Sequence, residues 1–280
     1  MRRISPKITQ ALAVTLLGAA TLLTVIVLVF IIVFVLAKGL PGVTWEFLSS
    51  APKDMGKAGG ILPTLAGTVL LPLFAIAIAL PLGVGTAVYL TEYTRETRFT
   101  RALRFGTDCL AGIPSIIFGL FGFIFFVVML KMGWCLLSGA LTLAIMVLPT
   151  IIRTSEEAIR AVPNAYREVS FSLGATRWET VLKVILPNAL PGIVTGVMLG
   201  IGRSIGETAA VIFTAGSSLR MPMSVFDSVR TMSVHFYILA REGISNENAY
   251  ATAAVLIITV LVVNLAAYGL MHRFIAKRSK

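Results

Sequence analysis

The sequence predicts an all-α integral membrane protein with six transmembrane helices, on three observations: its composition, its uncharged intervals and the placement of its basic residues. Of 280 residues, 57% are apolar and 13% charged, with a mean hydropathy of +0.90. A soluble domain is about one quarter charged, so a water-soluble globule and a disordered chain are both excluded. A hydrocarbon core roughly 30 Å thick takes about 20 apolar residues as helix. Six intervals free of Asp, Glu, Lys and Arg meet that length: 11–37, 58–91, 109–130, 132–152, 184–202 and 248–271. Basic residues stay on the cytoplasmic side of a membrane. Segments 1–10, 91–109, 153–183 and the tail after the last span hold sixteen of the 24 Lys and Arg, against eight in 38–60, Lys131 and 203–247. Both termini are therefore expected on the cytoplasmic side. The net charge of +11 reads as topology, since no basic stripe with interleaved aromatics points to nucleic acid.

Residues 1–10 are expected as a cytoplasmic N-terminus and 11–280 as one transmembrane domain. The first interval follows Met1-Arg2-Arg3 as a signal peptide would, but its 27 residues exceed the roughly 7–15 of a signal's apolar region, so it should remain as an anchor. The second carries Pro63, Pro72 and Pro81. Each interior proline frees a carbonyl that only neighbouring protein or water can satisfy, which puts this helix inside a bundle. Between spans two and three, Arg95, Arg98, Arg101 and Arg104 recur every third residue beside Phe99, Leu103 and Phe105, the pattern of a solvated charged face or of an interfacial helix. Gly192, Gly196 and Gly200 line one face of span five with bare backbone, a packing surface for a helix of this chain or of another subunit. Cys109 and Cys135 lack metal-ligand spacing and are expected as packing residues. Trp45, Glu46 and Phe47, with Pro52, Gly59 and Gly60, form an outer loop that offers either a membrane-interface anchor or a surface for a solute-binding protein.

Segment 153–187 is the most informative. Pro163 ends one helix, Asn164 is placed to cap the next, and Gly174 stops it by taking a left-handed backbone. Thr176 with Glu179 three residues later forms a capping box for a third helix that runs into span five. A rigid elbow with Val169, Phe171, Leu173 and Ala175 about its bend is suited to docking.

Glu168-Val169-Ser170, three residues, Gly174, nine residues and Val184-Ile185-Leu186-Pro187 together resemble the EAA loop of importer-type ABC permeases. The family pattern is Glu-Ala-Ala-x3-Gly-x9-Ile-x-Leu-Pro, and this chain departs from it at Val169, Ser170 and Val184 while keeping the glutamate, glycine and proline. The resemblance implies a type I ABC importer permease fold, in the inner (cell) membrane of a bacterium or archaeon. It also implies that Glu168, Val169, Ser170, Phe171, Leu173, Gly174 and Ala175 couple to a separate ATPase. Gly60-Ile61-Leu62-Pro63, Ala79-Leu80-Pro81-Leu82-Gly83, Gly112-Ile113-Pro114-Ser115, Leu148-Pro149-Thr150 and Gly202-Arg203-Ser204-Ile205-Gly206-Glu207-Thr208 are similar to phosphate-specific permeases, of the PstA type more than its sister PstC. That implies phosphate as substrate and, as partners, a PstC-type permease chain, two copies of a PstB-type ATPase holding ATP and Mg, and a PstS-type solute-binding protein.

The chain itself is expected to bind no cofactor or metal and to be no enzyme. A phosphate-cradling Gly-x4-Gly-Lys-Ser/Thr fails at Gly56-Lys57, where Ala58 and Ala51 occupy the hydroxyl and first-glycine positions. An intramembrane hydrolase would need a paired histidine or a zinc cluster, and only His235 and His272 exist. A non-ABC channel would show charge rings. For the anion, a guanidinium fork matches phosphate oxygens, and a nearby carboxylate keeps binding weak enough for release. Arg153 with Glu156 and Arg203 with Glu207 stand at helical spacing and are expected as the pathway relay. The resemblance adds weight to Arg153, Glu156 and Arg203. Ser115, Thr150 and Ser204 are further hydrogen-bond donors, although such hydroxyls also bond their own helix. The same fork fits sulfate or molybdate, so these oxyanions stay open as alternatives.

Overall fold

A computed structural model describes residues 6–278, with side chains described for most of 7–269. Its elements are helices α1 (Pro6–Gly39) and α2 (Trp45–Ser49), a hairpin of β1 (Pro52–Lys53) and β2 (Ala58–Gly59), and helices α3 (Leu62–Val88), α4 (Arg98–Ala111), α5 (Ser115–Gly122), α6 (Leu136–Arg160), α7 (Asn164–Ser172), α8 (Arg177–Thr180), α9 (Leu186–Ile205), α10 (Ala209–Thr214), α11 (Met232–Arg241) and α12 (Asn246–Arg278). Wide π-helical turns extend α3 over Tyr89–Tyr93 and α5 over Phe123–Met129, and join α8 to α9 over Val181–Ile185.

Five stretches are long and apolar enough to cross a membrane: Gln10–Gly42, Leu62–Tyr93, Leu136–Arg160, Arg177–Ile205 and Asn246–Gly269. The expected third span, 109–130, is present as a bent pair, broken inside its interval, and with it the crossings number up to six. Gly112-Ile113-Pro114 breaks the chain, and α4 meets Ser115–Met129 at 101°. Proline at 114 drives the preceding residue out of helical backbone, a signal that a search for missing charges does not register. Cys109 consequently ends α4 and is exposed, whereas Cys135 is buried as the N-cap of α6 and accepts from the Ser138 amide.

The core lies where α3, α6 and α9 meet. Leu71, Ala75 and Ala79 of α3 bury against Leu143, Met146, Val147 and Ile151 of α6. The proline-rich span is thus an interior helix, as its freed carbonyls require. The glycines of α9 face α6 of the same chain. A Cβ on Gly192 would strike Ala158, one on Gly196 would overlap Thr154, and Gly200 lies against Val147 and Ile76. α1 is exposed along nearly its whole length and touches the rest only near Gly39, beside Tyr250 and Ala254 of α12.

Loops assigned by charge to one side do gather at one end. Glu92, Arg104 and Asp108 meet residues of α6 and α7, while Asn248 donates to the Gly56 carbonyl at 2.9 Å and Leu136 to that of Asp227 at the other end. The N-terminal Arg2 and Arg3, and the side chains of His272, Arg273 and Lys277, lie outside the described residues. In the hairpin, Gly56 has φ +98° and packs on the ring of His235, so a side chain there would be both strained and obstructed. Trp45 is exposed, but Phe47 of the same loop buries with Ile61 and Met232.

His235, outside the spans, is buried and receives Arg230 Nη1 at its Nδ1 at 3.3 Å. Arginine has no lone pair to offer, so Nδ1 accepts and the ring proton sits on Nε2. Burial, then the Arg230 charge, pushes the pKa from 6.5 down to about 4. A lowered value means the unfolded chain binds the extra proton first. The stabilisation is complete above pH 6.5 and is lost as pH falls toward 4, by roughly 3 kcal/mol at most. Thermal unfolding of the solubilised protein across that window should show the loss, and His235→Asn, which keeps an acceptor but cannot titrate, should flatten it. Separately, Gly196→Ala should destabilise by roughly 1–3 kcal/mol through overpacking against Thr154. Gly85→Ala, with nothing within 4 Å, should not lower the unfolding midpoint in the same assay.

Candidate functional site

The elbow forms as its residues dictate. α7 ends at Ser172, Gly174 takes φ +82° with open space around it, and the Thr176 side chain accepts from the Glu179 amide while Glu179 returns to the Thr176 amide at 3.0 Å. The expected Asn164 cap is corrected. Pro163 holds the N-cap position, and Asn164 Oδ1 instead accepts from Arg167 at 3.3 Å.

Val169, Phe171 and Leu173 stand out from the bend, Leu173 at 84% exposure, and Glu168 is exposed beside them. Ser170 points the other way and shares a 2.8 Å hydrogen bond with Thr180, tying α7 to α8, while Ala175 is half-buried. Tyr166 and Trp178 add exposed aromatic surface that the motif does not include. Since α8, the π turn and α9 run without interruption from Arg177 to Ile205, the elbow and the fifth span are one rod.

Arg167 is the residue at the elbow that the sequence reading missed. Its Nη2 lies 2.7 Å from Glu92 Oε1, its Nε 3.2 Å from both Glu92 oxygens, and it donates to the carbonyls of Val162 and Ile159. Both side chains are mostly buried. This bidentate pair fastens α7 to the end of α3, and breaking it leaves a charge without its partner. The only sequence signal is that both residues fall in loops assigned to the same side.

The expected relay pairs are not formed. Glu156 faces away from Arg153 and meets Arg104 and Arg160, each at 2.7 Å. Arg153 lies 3.4 Å from Asp108 and 3.5 Å from Glu157, all three well exposed. The i,i+4 partners win over i,i+3, and the broken third span brings α4 carboxylate and guanidinium groups beside α6. Together these side chains line a 230 Å³ cleft. Arg203 does not pair with Glu207 among the described residues, because α9 ends at Ile205 and the continuous helix that spacing assumes does not exist. The Glu207 carboxylate instead accepts from the Ala210 amide at 3.1 Å, capping α10. Arg203 is exposed and opens onto a separate 440 Å³ cleft with Thr195, Asn264 and Tyr268. Arg153 and Arg203 therefore line different clefts. Thr150 gives its carbonyl to Thr154, and the buried Ser204 hydroxyl has no hydrogen-bond partner. No group of three or more metal-ligating side chains occurs among the described residues.

Residues 79–280 match the family model described as binding-protein-dependent transport system inner membrane component. The chain is 35% identical to phosphate transport system permease protein PstA 1 of Mycobacterium tuberculosis (strain CDC 1551 / Oshkosh), over 98% of this chain and 91% of that one. It is 34% identical to the probable ABC transporter permease protein YqgI of Bacillus subtilis (strain 168), over 93% and 94% respectively. Among solved structures, an inward-facing MetNI methionine ABC transporter superposes with a TM-score of 0.60 at 24% identity, over 77% of this chain and 94% of that one. A bacterial alginate ABC transporter superposes with 0.68 at 16%, over 97% and 98%. The chain belongs to the inner membrane components of binding-protein-dependent transport systems: it has the fold of a type I ABC importer permease, a membrane-spanning subunit of machines that also comprise a solute-binding protein and an ATPase.

Proposed function

We propose that this chain is the PstA-type permease subunit of an ATP-driven importer of inorganic phosphate, with the elbow and both termini cytoplasmic. The observation that carries the substrate is the 35% identity over 98% of the chain to a phosphate transport system permease. In this reading a PstC-type chain completes the path, a PstS-type protein delivers phosphate, and two PstB-type subunits bind ATP and Mg and hydrolyse the nucleotide.

The elbow supplies the mechanics. Exposed Leu173, Phe171 and Val169 seat in the ATPase, and Gly174 leaves the tip free to enter a groove. Closure of the ATPase pair moves the tip. Because the Ser170–Thr180 bond and the continuous helix resist bending, the displacement passes into α9, and the Arg167–Glu92 pair carries it to α3. Glu168 is exposed beside the tip, available to a partner's donor.

Arg153 and Arg203 serve the anion separately. Arg153 is held only by exposed pairs, each worth about 1 kcal/mol or less, so an oxyanion displaces them at little cost. Arg203 presents its fork to its own cleft. Glu156 and Glu207 fix local geometry, the first by binding two arginines and the second by capping α10.

Uptake of labelled phosphate into vesicles holding the full complex tests the substrate. Arsenate should compete and sulfate and molybdate should not; equal competition by sulfate would replace phosphate with a broader oxyanion. Arg203→Gln should lower uptake by at least tenfold with the ATPase still copurifying. Leu173→Asp should do the reverse, weakening ATPase copurification by roughly thirtyfold, as loss of a buried anchor does. Unchanged copurification in that variant would remove the elbow from the interface.

A further inference from the structure

A further cleft, of about 1040 Å³, uses neither arginine above. It lies between α5, α10 and α11, and its polar groups come from three breaks in helical backbone: Thr208 where α9 gives way to α10, Ser217 and Ser218 after α10, and Ser228 and Ser233 at the approach to α11. Arg241 lines it as well. Behind this wall is a second guanidinium. Arg230 is buried, its Nε donates to the Ser217 carbonyl at 2.8 Å, and its Nη1 meets the neutral His235. Among the described residues no carboxylate lies within ion-pair distance of Arg230, and Glu242 acts on it only from farther away. A buried, unbalanced cation is costly to retain without a partner, and here it lies beside a cleft whose mainly apolar wall, with Leu120, Phe123, Phe213 and Phe236, is broken by these hydroxyls.

The hydroxyls divide by where their protons go. Ser228 donates to the Ala215 carbonyl at 3.1 Å and Ser233 to the Glu207 carbonyl at 2.8 Å while accepting from the Thr231 hydroxyl at 2.9 Å, so neither has a proton for the cleft and each keeps a lone pair. Ser218 already accepts from the Arg220 amide, which leaves its proton to give. Thr208 and Ser217 have no side-chain hydrogen bond among the described residues and are free to donate. Such a mixed set suits an anion that carries its own hydroxyl. Phosphate and arsenate keep a proton near neutral pH, whereas sulfate and molybdate bring only acceptors and meet the lone pairs of Ser228 and Ser233.

We propose that this cleft is a binding site for a protonated tetrahedral oxyanion, with Thr208, Ser217 and Ser218 donating, Ser228 and Ser233 accepting, and Arg230 and Arg241 balancing charge. The proposal rests on the phosphate reading and deepens it, by placing discrimination against sulfate in the permease itself.

The test uses the permease–ATPase complex in lipid nanodiscs without the solute-binding protein, so that selectivity belongs to the membrane subunits. Phosphorus NMR line broadening of inorganic phosphate should be relieved by arsenate and at least about tenfold less effectively by sulfate. Ser228→Ala with Ser233→Ala should narrow that gap. Thr208→Val with Ser217→Ala should weaken phosphate binding roughly tenfold without narrowing it. If Ser233→Ala prevents assembly, Ser228→Ala alone carries the comparison, with Ser233→Thr as the hydroxyl-keeping control. Sulfate matching arsenate in the parent complex, or variants indistinguishable from it, would overturn the site while phosphate uptake by the complete complex leaves the substrate standing. A complete complex that takes up no phosphate removes both.

Discussion

The seating of α9 on α6 is the contact on which the rest of the molecule depends. Lipid gives two apolar helices no hydrophobic reason to associate, so a close fit must come from backbone-level packing. Gly192, Gly196 and Gly200 provide it against Ala158, Thr154 and Val147. The consequence is mechanical. Arg177–Ile205, 29 residues and therefore about 43 Å of helix, is clasped along its length by α6, which is itself packed on α3. A displacement of the elbow by an ångström is a displacement of the far end, because a close-packed interface shifts as a body and does not deform smoothly.

At that far end the helical backbone stops. In hydrocarbon an unpaired amide or carbonyl costs several kcal/mol, so non-helical chain survives only where protein or a watered cavity satisfies it. The structure meets that demand bond by bond. Glu207 caps α10, Cys135 donates to Thr214, Leu136 to Asp227 and Val229 to Ala215. These breaks collect around one cleft. Discontinuous helices free backbone and hydroxyl groups for a solute, and here the break joins directly to the rod that begins at the elbow.

Much of this was legible in the residues, and the illegible part has one cause. Gly174, the Thr176–Glu179 box and the glycine triplet are local signals, and each took the geometry that its chemistry favours. The pairing of charges was not local. Glu92 and Arg167 are 75 residues apart, and Glu156 selects Arg104 from α4 over its near neighbour Arg153. Helical spacing nominated Arg203 with Glu207, and that nomination failed because the helix between them ends. The Pro114 break failed to register for a related reason. Missing charges count apolar length but not direction, and the 101° turn is a matter of direction.

The same electrostatics separates the frame from the proposed path. Arg104 and Arg167 are largely buried, each within 2.7 Å of a carboxylate that is itself 12% exposed. Removing one partner of the Arg167–Glu92 pair costs roughly 3–5 kcal/mol, since the other is left charged and dry, whereas Glu156 would keep Arg160. Arg153 is 66% exposed, and water already supports it. On the proposed path, an anion arriving at the elbow end would exchange with Arg153's weak partners long before it could compete for Arg167 or Arg104. Solute can thus visit one set of arginines while the other keeps the elbow fastened to α3 and α4 fastened to α6. A permease built with the burial reversed would loosen its own coupling each time it passed an anion.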